Sequence, residues 1–321
     1  MLRCSLYAGS GLIFLASCTS LPDTSAYTAA SYRLQSTSVA AGKLVDNEFE
    51  RLIKVVPEDQ AQNTLDEAGK FKAAWASTTT SLAAMARYAE SVEKLANAGN
   101  SGKESADRLS DSIGGLVQMI RATPGGAAFD LASDLFGVVN TQLQNVRAAK
   151  SLKASLARAD PIIADVATLA ERQVGAARKN FNEAINVQGV ALERTVGDIR
   201  QIDKDLAALE IDAERTLADL SLNSSGEAKR KSAMTELERI RTGRAALAPR
   251  MMAYRKNMGE LEERKRAGEE IFDATAVAIR EWRASHAEVV EAMAERRPIS
   301  IASLTTATED LNELAKRWRD L

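Results

Sequence analysis

The chain has 321 residues, 45% of them hydrophobic, 27% charged and only 5% aromatic, with a formal net charge of −2. So balanced a charge offers no basic face of the kind that nucleic-acid binders carry. A single histidine excludes a four-helix di-metal site, which needs Glu-x-x-His on two helices. No stretch alternates apolar and polar residues as a strand does. The abundance of Ala, Leu, Glu and Arg is the profile of long helices, and an all-α fold is expected.

At the start of the chain, Arg3 precedes a mostly apolar run from Leu6 to Ala16. That run is shorter than the roughly 20 apolar residues that a membrane span requires, and it fits a secretory signal. It closes in Leu15-Ala16-Ser17-Cys18, which resembles the lipobox of bacterial lipoproteins. The resemblance implies removal of residues 1–17, Cys4 among them, and lipidation of the Cys18 thiol by a diacylglyceryl group with palmitate-type chains. Two or more acyl chains hold a protein stably on a membrane. The mature chain then keeps no free thiol, so no disulfide or His/Cys zinc site is expected. Thr19 stands where Asp marks inner-membrane retention in this class, so the resemblance implies the outer membrane, facing the periplasm. Residues 18–25 make a short tether; Cys18 to Thr24 spans only about 20–25 Å when extended.

The body divides at its helix breakers into about seven helices. The first covers about 26–56 and stops at Pro57, and the second covers about 60–98 and ends in the GNSG at 99–102. A third covers about 103–122 and ends in TPGG, and the fourth continues to about Arg158. Asp160 as N-cap with Pro161 at the first helical position predicts the start of a fifth helix, about 161–222. The NSSG at 223–226 separates it from a sixth, about 227–296, and the last helix follows RRPIS and runs to the C-terminus. These helices group as a bundle over 26–158, a coiled-coil hairpin over 159–297 and a docking helix over 298–321.

The sixth helix carries an unbroken +3, +4 seam from Leu237 through Ile240, Arg244, Leu247, Met251, Tyr254 and Met258 to Val289 and Met293, which predicts a left-handed coiled coil. The fifth helix has a similar row: Ile185, Leu192, Val196, Ile199, Ile202, Leu206, Leu209, Ala213, Leu217 and Leu220. Folding about the NSSG turn sets residue i against roughly 449 − i. The charges agree: 196–219 has a net charge of −4 (seven acids, three bases), and the facing 230–253 has +4 (six bases, two acids). The same register predicts Arg244 against Asp205, Glu210 against Arg239, Asp219 against Arg230, Gly268 against Phe181 and Phe272 against Ala177. Pro249 lies off the seam and predicts a kink. The spacing of Leu304, Ala307, Leu311, Leu314, Trp318 and Leu321 predicts a docked terminal helix.

Chemistry has few candidates. His286 falls on the seam opposite Asp160 and Asp165, and a structural histidine paired with a carboxylate is the expected role. Lys265 and Arg244 on the seam read as register-fixing cations. The Ser-x-x-Lys spacing at Ser91 and Lys94 lacks its companion motifs. Residues 112–143 hold only Arg121, Asp130 and Asp134 as charges, together with five glycines. Leu116, Val117, Ile120, Phe129, Leu135, Phe136 and Val138 are therefore candidate membrane-interacting residues, if this segment is not bundle core. The expected function is a non-enzymatic envelope scaffold or partner-binding element without metal or cofactor. Its expected partners are the membrane and other envelope proteins, with the oligomeric state open. The alternative is a membrane-active, pore-forming-like helical protein using 112–143.

Overall fold

The structure, a computed structural model, describes residues 21–55, 58–98, 103–121, 142–221 and 226–321. Among the described residues, six long helices follow in order: α1 (Ser25–Val55), α2 (Glu58–Asn97), α3 (Lys103–Arg121), α4 (Leu152–Ser221), α5 (Glu227–Glu295) and α6 (Ala302–Arg319). Helical backbone is also present at 142–147, and no strand occurs among the described residues. The protein is all-α. α4 and α5, with 70 and 69 residues, are each roughly 105 Å long at 1.5 Å per residue.

α1 and α2 run antiparallel, joined by the Phe49–Phe71 ring contact near their link and by Thr28 Oγ1 donating to the Ala89 carbonyl at the far end. α4 lies antiparallel to α2, with Gln173 set between Ser77 and Ser81. α5 returns antiparallel to α4 and α1, and Trp282 Nε1 donates to Ser31 Oγ at 3.0 Å. These four helices form the bundle. α3 buries Ala106, Leu109, Ile113 and Leu116, an i, i+3, i+7, i+10 face, against α2 and α4. α6 lies in the groove between α1 and α5, burying Leu304, Ala307, Leu311 and Trp318, while Leu321 stays half exposed.

The bundle is held by a run of aromatic contacts across five helices. Phe272 of α5 packs edge-on against Trp75 at 5.6 Å and against Phe181 at 5.6 Å; Phe181 in turn meets Trp318 at 5.9 Å. Two glycines make room for these rings. A Cβ at Gly42 would lie 1.6 Å from Trp75 Nε1, and one at Gly268 would lie 2.4 Å from Phe181 Cε1 and 2.9 Å from Trp318.

The hairpin register is the one expected. Gly268 lies under Phe181, Gly243 beside Leu206 and Gly189 beside Leu261, pairs whose numbers add to 449 or 450. Phe272, expected against Ala177, also reaches Phe181. Two details differ from the expectation. α4 begins at Leu152 and passes through Pro161. Leu152, Leu156, Ala159 and Ile163 continue the buried face, whereas Pro161 and Ala157, whose carbonyl loses its N–H partner, lie on the exposed face where water serves it. α5 also continues through Pro249, within the bounds expected for it, and Pro249 is exposed together with Ala245. Second, Arg244 pairs with Asp203 at 3.1 Å and Glu210 at 2.6 Å rather than with Asp205. Glu210 also receives Arg241 at 2.8 Å, Arg239 pairs with Glu236 in its own helix, and Asp205 accepts from Gln201.

Beyond Val196 on α4 and before Leu261 on α5, only Leu237 and Ile240 are buried among the described residues. The hairpin there leaves the bundle as a two-helix arm, roughly 40 Å long. The arm extends past the end of the bundle where α1 gives way to α2, and α1 begins at the opposite end.

Gly42→Ala and Gly268→Ala are expected to destabilise the chain by about 1–3 kcal/mol each, because an indole or phenyl ring must move. Gly259→Ala, a helical position with nothing within 4 Å, is expected to stabilise by up to about 1 kcal/mol. Urea unfolding followed by far-UV circular dichroism compares the three.

Candidate functional site

The α5 seam carries His286 fully into the core. There Tyr88 of α2 and Asp160 of α4 close on its two nitrogens: Nε2 lies 2.8 Å from Tyr88 Oη, and Nδ1 lies 3.1 Å from Asp160 Oδ1. Burial pushes the Tyr88 phenol well above its ordinary range, and the Asp160 charge adds to this. Tyr88 therefore keeps its proton; where it donates to Nε2, the ring proton lies on Nδ1 and is donated to Asp160. The hydrogen bond from His286 is the main cause holding the Asp160 carboxyl below its ordinary range, against the opposing effect of partial burial.

A Tyr–His–Asp relay is built like an acid–base chain, with Tyr88 and His286 withdrawn into the core and the Asp160 side chain 44% exposed. Tyr88 is 1% exposed, and Trp282 packs edge-on against it at 6.3 Å. What the relay does is join three helices at one height. A cavity of about 470 Å³ lies between α2 and α3 beside Tyr88, with Arg87, Ser112 and Gln118 as its polar lining. These three supply no nucleophile–base pair. Among the described residues, no group of three metal-ligating side chains converges. Sequence reasoning found His286 and Asp160 but missed Tyr88, whose position in a Ser- and Ala-rich helix carries no signal of its own.

Of the candidate membrane-interacting residues, Leu116 is buried in the core and Val117 is half buried against it. Ile120 lies in α3, while Phe129, Leu135, Phe136 and Val138 lie outside the described residues, as does Cys18. No helix among the described residues is long and apolar enough to cross a membrane. Ser91 donates to the Arg87 carbonyl of its own helix, an ordinary intrahelical bond, and Lys94 pairs with Glu90.

The second feature is the arm. The α5 seam lies where the spacing predicts, but the α4 row is displaced. Ile202 and Leu209, expected on the seam, are 48% and 50% exposed, and Asp203 and Glu210 take the inward places beside Arg244. A seam arginine draws carboxylates inward, and the helix turns its neighbouring apolar side chains out. Glu210 is held below the ordinary carboxylate range by the hydrogen bonds from Arg241 and Arg244.

His286→Ala is expected to cost about 2–4 kcal/mol in urea unfolding, since it leaves a cavity and an orphaned phenol, and Tyr88→Phe about 1–2 kcal/mol. The Asp160 carboxyl is depressed in the folded state from its ordinary 3.8, so its stabilisation is complete above that value and lost as pH falls through the lower folded one. The stability difference between the native chain and Asp160→Asn should therefore hold at neutral pH and narrow below about pH 4.

No protein-family model, curated protein or solved structure matches this chain.

Proposed function

We propose that the chain is a non-enzymatic envelope lipoprotein, anchored through Cys18 at the outer membrane and facing the periplasm, whose body is a scaffold presenting the α4–α5 arm to other helices. The observation that carries this reading is the polarity of the fold. α1 begins at one end of the bundle, and the arm leaves from the other. From the level of Trp282, which stacks on Tyr27 near the start of α1, to the first residue of α5 is roughly 80 Å of helix. A lipid on Cys18 sits at the foot of such a body, and the arm reaches away from the bilayer. The arm also carries exposed large side chains, Ile202, Leu209, Ile211, Met234 and Met252, which suit contact with another helix. The burial of Tyr88 and His286 supports a structural rather than a catalytic use of the only histidine.

In cells, radiolabelled palmitate is expected to enter the native chain and not Cys18→Ala, which should leave the membrane fraction. Deleting 199–219 together with 230–250 removes matched heptads from both helices and preserves the register. This shortened chain should remain anchored and folded but lose its crosslinked complexes. An unlabelled native chain would sink the lipoprotein reading, and complexes unchanged by the shortened arm would sink the scaffold. Dye release from liposomes by the native chain would favour a membrane-active role for 112–143 instead.

A further inference from the structure

We infer that one side of the arm is an interface for a second copy of this chain, the two hairpins lying face to face and pointing the same way. The inference rests on the arm being an interaction element and names its partner.

The two sides of the arm differ. In an antiparallel coiled coil, the positions just after the second core residue of each heptad share one side, and those just before the first core residue share the other. On the first side the flanks are charged and closed: Arg241 bridges Glu210 at 2.8 Å and Glu214 at 2.7 Å, and Arg200 donates to Tyr254 Oη at 2.6 Å while lying over its ring. On the second side stand Ile202 and Leu209, seven residues apart and half exposed, with Gly243 facing them from α5. A Cβ at Gly243 would lie 3.6 Å from Leu206 Cδ1, so the glycine opens a shallow notch onto the half-buried seam leucines Leu206 and Leu247. The exposed small residues Ala246 and Ala253 extend this side along α5. The α4 row of this side is apolar and left uncovered by the two helices, while the α5 row is bounded by the exposed Glu236 and Arg250, seven residues to either side of Gly243.

The charges at its edges select the occupant. Along α4, Asp198, Asp205, Asp212 and Asp219 recur every seven residues, and all four are exposed. Along α5, Arg250 stands in the same row as Gly243, and Arg239 stands one row further out, where it holds Glu236 of its own helix at 2.6 Å; both arginines are exposed. A second copy related by a twofold axis parallel to the arm lays its α5 over this α4, and its α4 over this α5. Asp198 then meets Arg250 of the second copy, and Asp212 meets Arg239, at heights fixed by the register that aligns the hairpin itself. A copy pointing the opposite way would set the aspartate rows against each other. The contact is self-complementary, as a twofold interface must be. It converts two open hairpins into a four-helix bundle with Ile202 and Leu209 inside. Both chains also begin at the same end.

Sedimentation velocity of the full chain in detergent, with bound detergent subtracted, should show a species of twice the single-chain mass. The variant Asp198→Arg/Asp212→Arg should keep its helical spectrum and dissociate roughly 100-fold more readily, because it sets four like-charge contacts across the interface. Adding Arg239→Asp/Arg250→Asp to the same chain should restore the native mass. A native chain that sediments singly at all concentrations, or charge reversal without effect, overturns the proposal. A benzophenone amino acid at position 209 in cells separates it from the broader scaffold reading. A product containing only this chain, at twice its mass, supports the second copy. A product with a different protein overturns the second copy and leaves the scaffold standing, and no product overturns both.

Discussion

The fold depends on fitting large rings over missing side chains. Trp75 lies where the Cβ of Gly42 would be, and Phe181 and Trp318 lie where that of Gly268 would be, so α1 with α2 and α4 with α5 and α6 approach at points that tolerate no other residue without displacement. With Phe71 and Phe272 between them, these rings form one contiguous cluster through five helices. Aromatic residues are only 5% of the chain, and their concentration here gives an otherwise alanine-rich bundle its distinct packing. An Ala/Leu interface slides by a turn at little cost, whereas a ring over a glycine has one seat.

Polar contacts inside the core set the heights of the helices in the same way. Gln173 sits between Ser77 and Ser81, Trp282 reaches Ser31, Thr28 reaches the Ala89 carbonyl, and His286 bridges Tyr88 and Asp160. Glu48, 3% exposed on its side chain, takes Arg264 at 3.0 Å across α1 and α5. Each such contact adds modestly to stability when made, but leaves a costly buried polar group when the register slips. They therefore act more on which arrangement forms than on how stable it is. The turn after α5 follows the same logic: Arg296 adopts a left-handed conformation (φ 57°) while Arg297 binds Glu288, Glu291 and Glu295, closing the helix end without glycine.

Much of this was legible in the sequence, because long heptad seams and breakers are strong signals. The turn between α4 and α5, the register and the seam position of His286 follow from spacing and charge alone. The failures have physical causes. Pro161 resembles a helix start, but a helix whose buried face continues on both sides tolerates a proline on its wet side. The α4 row includes Ile202 and Leu209 because periodicity counts apolar residues and does not weigh the pull of a seam arginine on Asp203 and Glu210. Tyr88 was missed because the relay requires three helices to meet, and only two of its members lie on the hairpin whose register could be read.

The contrast between the two halves of the hairpin explains why only one is an independent core. In the bundle, α5 buries two adjacent rows, Phe272, Ile279, His286 and Met293 beside Ile271, Ala278, Ser285 and Ala292, because helices press on it from several sides. In the arm it buries only Leu237 and Ile240 among the described residues, and its seam is interrupted by an ion cluster half open to water. A two-helix segment with so little burial is stabilised chiefly by its continuity with the bundle, so opening free energy should fall from bundle to tip. Such a gradient places the least committed surface furthest from the core, where covering Ile202 and Leu209 adds apolar burial without disturbing the aromatic cluster. The same seam arginine that weakens the hairpin as a closed pair turns these side chains outward, and so couples the arm's modest stability to the apolar surface it exposes.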